Sequence, residues 1–98
     1  MITIDSATYR EIANSLRSQI ADTDYYSGSI HHSTPDYDAT LTSTLIVYRS
    51  THTAPDRTFT TISDVVPVWW SCSTTTDEGE RLNDFDFNRV RKLLIDRK

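Results

Sequence analysis

Apolar residues recur along this chain in two different rhythms. Near the start, Tyr9, Ile12, Ala13, Leu16 and Ile20 fall three or four positions apart. That spacing gives a helix one buried face. Asp5 precedes the stripe as an N-cap, with Ile4 and Tyr9 at the positions of a hydrophobic staple. The pattern predicts a helix over 6–21. The rhythm then changes to alternation. Tyr26, Gly28, Ile30 and His32 share one parity and Tyr25, Ser27, Ser29 and His31 the other, which predicts a strand over 25–32 with Ile30 inward. Gly28 marks a candidate bulge. Pro35 and Asp36 predict a turn.

The clearest alternation runs over 39–49. Ala39, Leu41, Ser43, Leu45 and Val47 suit a face covered by helices, and Thr40, Thr42, Thr44, Ile46 and Tyr48 suit a face turned to solvent. Residues 50–57 read as a polar loop turning at Pro55 and Asp56. A third strand is predicted over 58–72. Both parities are apolar from Val65 to Trp70, so either both faces are covered or a bulge near Ser63 and Asp64 changes the phase. Carried through, the parity puts Val65 and Trp69 outward and Val66, Val68 and Trp70 inward. Pro67 has no amide to donate, which places this strand at an edge or a bulge. Residues 73–81 read as a polar loop. Asn83 or Asp84 caps a second helix whose buried stripe is Phe87, Val90, Leu93 and Leu94, with Leu82 and Phe87 as its staple. The expected fold is one α+β domain over 1–98, ordered α-β-β-β-α. Its core is a three-stranded antiparallel meander with both helices packed on one face.

Composition narrows the function. The chain has 98 residues, 37% of them hydrophobic, which is enough apolar material for a modest core and excludes wholesale disorder. A net charge of −4 argues against a general nucleic-acid surface, which needs clustered cations. Six acids face only Arg10 and Arg17 up to Tyr48, whereas Arg89, Arg91, Lys92, Arg97 and Lys98 crowd the end. There they complement a helix C-terminus. Cys72 is alone, so neither an intramolecular disulfide nor a cysteine zinc cluster is expected. The opening residues lack the basic and apolar regions of a signal peptide. No stretch approaches the roughly 20 apolar residues that span a bilayer. A cytoplasmic protein without membrane contact is expected.

The element order resembles that of the double-stranded RNA-binding domain. That family carries a basic run at the start of its last helix and a glycine-proline-histidine loop in its first hairpin. Here Asn83, Asp84, Phe85 and Asp86 open the last helix, and His31 to Pro35 form the hairpin without that glycine. The resemblance is one of topology, and no functional residue carries over.

Other chemistry is sparse. His31 and His32 point to opposite faces of a strand and lie apart from His52 in sequence, without zinc-ligand spacing. Cys72 has no neighbouring cation to activate it. With only Gly28 and Gly79, a glycine-rich phosphate loop is excluded. Asp77, Glu78 and Glu80 lack calcium-loop spacing. No catalytic residue, metal or cofactor is assigned.

What remains is surface. The outer sheet face would carry Tyr25, Thr40, Thr42, Thr44, Ile46, Tyr48, Val65 and Trp69, more aromatic than solvation requires. The leading expectation is a non-catalytic interaction or adaptor module that binds a protein partner or a second copy of itself. The alternative is a small ligand-binding protein or enzyme using this face as a pocket wall. Nucleic-acid binding ranks third.

Overall fold

The computed structural model describes residues 1–95; Arg97 and Lys98 of the terminal basic run lie outside them. The elements are α1 (Ser6–Ile20), β1 (Tyr25–Ser33), β2 (Asp38–Ala54), β3 (Arg57–Thr76), β4 (Gly79–Arg81) and α2 (Phe87–Leu94). The α+β class and the two helices are as expected, and the antiparallel sheet has four strands, not three, in the order β1-β2-β3-β4. The fourth is short. It pairs only with Thr74, Thr75 and Thr76 of β3, in a segment expected to be a loop. Its tight turn places Gly79 at φ 106°, a conformation that favours glycine.

Helix α1 begins as its sequence dictates. The Asp5 carboxylate accepts from the Thr8 amide at 2.7 Å, and Ile4 and Tyr9 are both buried. Ile12, Leu16 and Ile20 lie on the sheet side with no exposed surface. On β1 and β2 the predicted parity holds: Tyr26, Ile30, Ala39, Leu41, Leu45 and Val47 are all core. The β1–β2 register runs unbroken through Gly28, which therefore marks no bulge. Its role is space, because a Cβ there would come within 2.9 Å of the Tyr26 hydroxyl.

Helix α2 starts later than its sequence suggests. Asp86, not Asn83 or Asp84, is the N-cap, accepting from the Asn88 amide at 3.0 Å. Phe85 and Val90 then occupy the staple positions and are buried, whereas Leu82 is exposed. Asn83 and Asp84 are engaged elsewhere. Asn83 donates to the Cys72 carbonyl and the Thr74 hydroxyl and forms a parallel bridge with Ile2. The Asp84 carboxylate accepts from the Ile4 amide at 2.7 Å. These bonds hold the segment before α2 extended. Leu93, expected in the stripe, is half exposed, while Phe87, Val90 and Leu94 are core.

Both helices pack on the inner sheet face and against each other. Arg17 donates to the Leu93 and Leu94 carbonyls at the C-terminal end of α2, where its charge meets the negative end of the helix dipole. Arg91 forms a two-pronged pair with Asp64 of β3, both contacts 2.8 Å. β2 continues past the expected loop, so residues 50–61 are a two-stranded arm turned by Pro55 and Asp56. No helix among the described residues is long and apolar enough to cross a membrane.

Candidate functional site

The phase of β3 decides what the outer face presents. Pairing with β2 skips twice. Trp69 faces Thr44 and Pro67 faces Leu45, so Val68 is an extra residue; Asp64 faces Tyr48 and Ile62 faces Arg49, so Ser63 is another. The bulge near Ser63 and Asp64 is one of the two readings the sequence leaves open, and the one at Val68 belongs to neither. Because of the second bulge, Val65 sits opposite Val47 and is fully buried, contrary to its expected place outside. Val66 takes its place, opposite Ile46 on the outer face. Val68, expected inside, is 62% exposed at its bulge. The tryptophans keep their expected sides. Trp69 is outward and 54% exposed; Trp70, expected in the core, lies opposite buried Ser43 with its ring near Phe85 and Phe87 but is still 36% exposed.

The other candidate residues lie on the outer face with Val66. Tyr25, Ile46 and Val66 form one row across the outer face, flanked by Tyr48 on one side and Trp69 on the other. Tyr25 is 61% and Tyr48 51% exposed, so more than half of each is open to solvent. Thr44, Thr42 and Thr40 continue the face as a hydroxyl field. They bond across to Ser27 at 3.1 Å, Ser29 at 2.9 Å and His31 at 3.0 Å. From Tyr25 to His31, from Thr40 to Tyr48 and from Val66 to Ser73, the outward positions hold no Asp, Glu, Lys or Arg. In a chain that is 24% charged, this is a neutral surface with an aromatic end.

The same face runs on into the arm, whose residues 50–57 the sequence predicts as a loop. There His52 stacks on Phe59 at 5.2 Å and Arg57 lies over the same ring at 5.1 Å. The β-branched and aromatic run Thr58, Phe59, Thr60, Thr61 and Ile62 was the available signal.

Chemical groups elsewhere are dispersed. His31 is on the outer face, His32 beside Asp5 on the other side and His52 on the arm. Among the described residues no group of three His, Cys, Asp or Glu is placed to hold a metal. Burial pushes the Cys72 thiol up to about 11, so it stays protonated at neutral pH. The Asp64 carboxyl is held below the usual carboxylate range, first by hydrogen bonds from Arg91 and also by the Val65 amide. A cavity between the helices is lined by Ser6, Tyr9, Arg10, Arg89, Lys92, Leu93 and Ile95, away from Tyr25, Tyr48 and Trp69. Compared with family models, with curated proteins and with solved structures, the chain finds no match.

Proposed function

We propose that this chain is a non-catalytic interaction module that binds a protein partner through its outer sheet face. The observation that carries the reading is the neutral patch of Tyr25, Ile46, Tyr48, Val66 and Trp69, left open because both helices take the opposite face. Aromatic side chains bury much area at small entropic cost and dominate the energetics of such contacts. The hydroxyl field beside them supplies fit and hydrogen bonds. The simplest partner is a second copy, because two flat sheet faces stack about 10 Å apart as in a sandwich. We place the module in the cytoplasm, where a lone thiol such as Cys72 remains reduced.

The two tryptophans separate binding from folding. Trp69→Ala should raise the dissociation constant of association at least about tenfold, the effect of losing an anchor of about 1.4 kcal/mol or more. It should leave the urea midpoint nearly unchanged. Trp70→Ala should do the reverse, destabilising by less than the about 3–5 kcal/mol of a fully buried aromatic. Sedimentation and urea melts on both variants decide the matter. If Trp69→Ala leaves association intact, the outer face is not the contact surface.

A further inference from the structure

β1 closes the sheet on one side, so one row of its backbone groups meets no strand among the described residues. The hydrogen bonds flanking it identify that row. Val47 donates to the Asp24 carbonyl at 2.9 Å, and Thr34 donates to the Tyr37 carbonyl at 2.8 Å. Both pairs extend the β1–β2 register. Even-numbered residues of β1 therefore exchange hydrogen bonds with β2. The odd-numbered ones, Tyr25, Ser27, Ser29, His31 and Ser33, turn their N–H and C=O groups away from it. All of these residues are exposed.

The two long edges of the sheet are treated differently. Proteins blunt an open edge with proline, bulges or charge. β3 has Pro67 and two bulges. Moreover, Leu45 has the parity that bonds to β1, so its partner Pro67 turns its missing donor away from β2. β1 has none of these devices. Its sequence YYSGSIHHS contains no proline and no Asp, Glu, Lys or Arg, and its nine-residue register is unbroken.

We propose that β1 is the docking edge for a second copy of this chain, two β1 strands pairing antiparallel about a two-fold axis at Ser29. The strand is self-complementary in this register. Ser29 meets Ser29 of the other copy, Ser27 meets His31 and Tyr25 meets Ser33. Every outward backbone group is then satisfied, giving roughly ten hydrogen bonds between the copies. No like charges oppose one another. An isologous contact of this kind closes on itself and does not propagate. The axis stands perpendicular to the sheet, so both helical layers stay on one side and the two neutral faces merge on the other. The hydroxyl ladder of Ser27, Ser29 and their threonine partners would run straight across the axis. This inference does not depend on the outer face binding anything.

Sedimentation equilibrium of the full chain, with amide exchange followed by NMR, tests it. The expected result is a dimer in which the amides of Tyr25, Ser27, Ser29, His31 and Ser33 are protected, and lose protection on dilution. Ser29→Pro removes an amide that points away from β2 with no acceptor strand among the described residues, and the preceding Gly28 tolerates a following proline. It should raise the dissociation constant at least tenfold, by rough estimate, while the urea midpoint stays within the range of a surface change. Ser29→Lys, which sets like charges together at the axis, should do the same without a backbone constraint. A chain that stays monomeric with those amides exchanging freely, or a dimer that survives both variants, overturns the proposal. Trp69→Ala should leave those five amides protected even where it weakens association through the outer face, so the edge and the outer face fail separately.

Discussion

At the scale of single residues, the core was mostly legible because period-two and period-three-to-four spacing report burial directly. Leu16, Leu45, Val90 and Leu94 are all fully buried, as their spacing implied. Some buried residues gave no such signal. Thr8 and Tyr37 sit in polar stretches, and they enter the interior because their hydroxyls bond to each other at 2.9 Å. Ser43 was placed inside by its parity, but its hydroxyl fares differently. It holds a core position of β2 under Trp70, and its hydroxyl is buried with no partner among the described residues. Leu45→Ala should therefore cost about 2–5 kcal/mol, the usual loss for a core leucine. Ser43→Ala, two positions away on the same face, should be neutral or stabilising, since it removes an unmatched polar group. Urea melts of the two variants would separate them. A Leu45→Ala loss within about 0.5 kcal/mol would mean that the sheet faces are inverted.

At the scale of elements, boundaries and phase were the hard part. Polar alternation over 50–61 has the composition of a loop, yet it forms a ribbon because Pro55 and Asp56 turn the chain tightly enough for both sides to pair. The start of α2 was misplaced because Asn83 and Asp84 look like caps in sequence, while their side chains are committed to β3 and to the N-terminal segment. On β3, one bulge was foreshadowed by an apolar run on both parities. The second was hidden because Val68 is as hydrophobic as its neighbours. A pair of deletions tests this phase with identical change in composition. Removing Val68 leaves every other residue of β3 opposite its present partner. Removing Val66 absorbs the Ser63 bulge but sends Val65 outward and brings Asp64 opposite Val47 in the core. The Val68 deletion should keep a cooperative melt near the parent midpoint, whereas the Val66 deletion should lose several kcal/mol, as burial of an unpaired carboxylate does, by order of magnitude. Equal damage from both would show that Val68 belongs to a regular ladder.

At the scale of the molecule, the extents are 57 × 23 × 17 Å and the radius of gyration is 15.1 Å. A compact chain of about 100 residues has a radius of about 13 Å. The excess comes from the arm, which projects past the last partner of β1. Elsewhere the layout is closed by contacts between distant parts of the sequence, above all Ile2 with Asn83 and Ile4 with Asp84. Those contacts have a kinetic consequence. The hairpins can zip from their Pro-Asp turns with short loops, whereas the Ile4–Asp84 bond spans 80 positions and must await closure of nearly the whole chain. The expectation is that it forms after the main barrier to folding has been crossed. Asp84→Ala should accordingly steepen nothing on the refolding side of a chevron and act almost wholly by speeding unfolding. A slowed refolding limb would place this latch inside the nucleus. If the limb is unchanged, the lifetime of the folded chain is governed by how often the first strand-like segment lifts away from Asn83 and Asp84, and strengthening that seam would lengthen the lifetime without making the protein fold any faster.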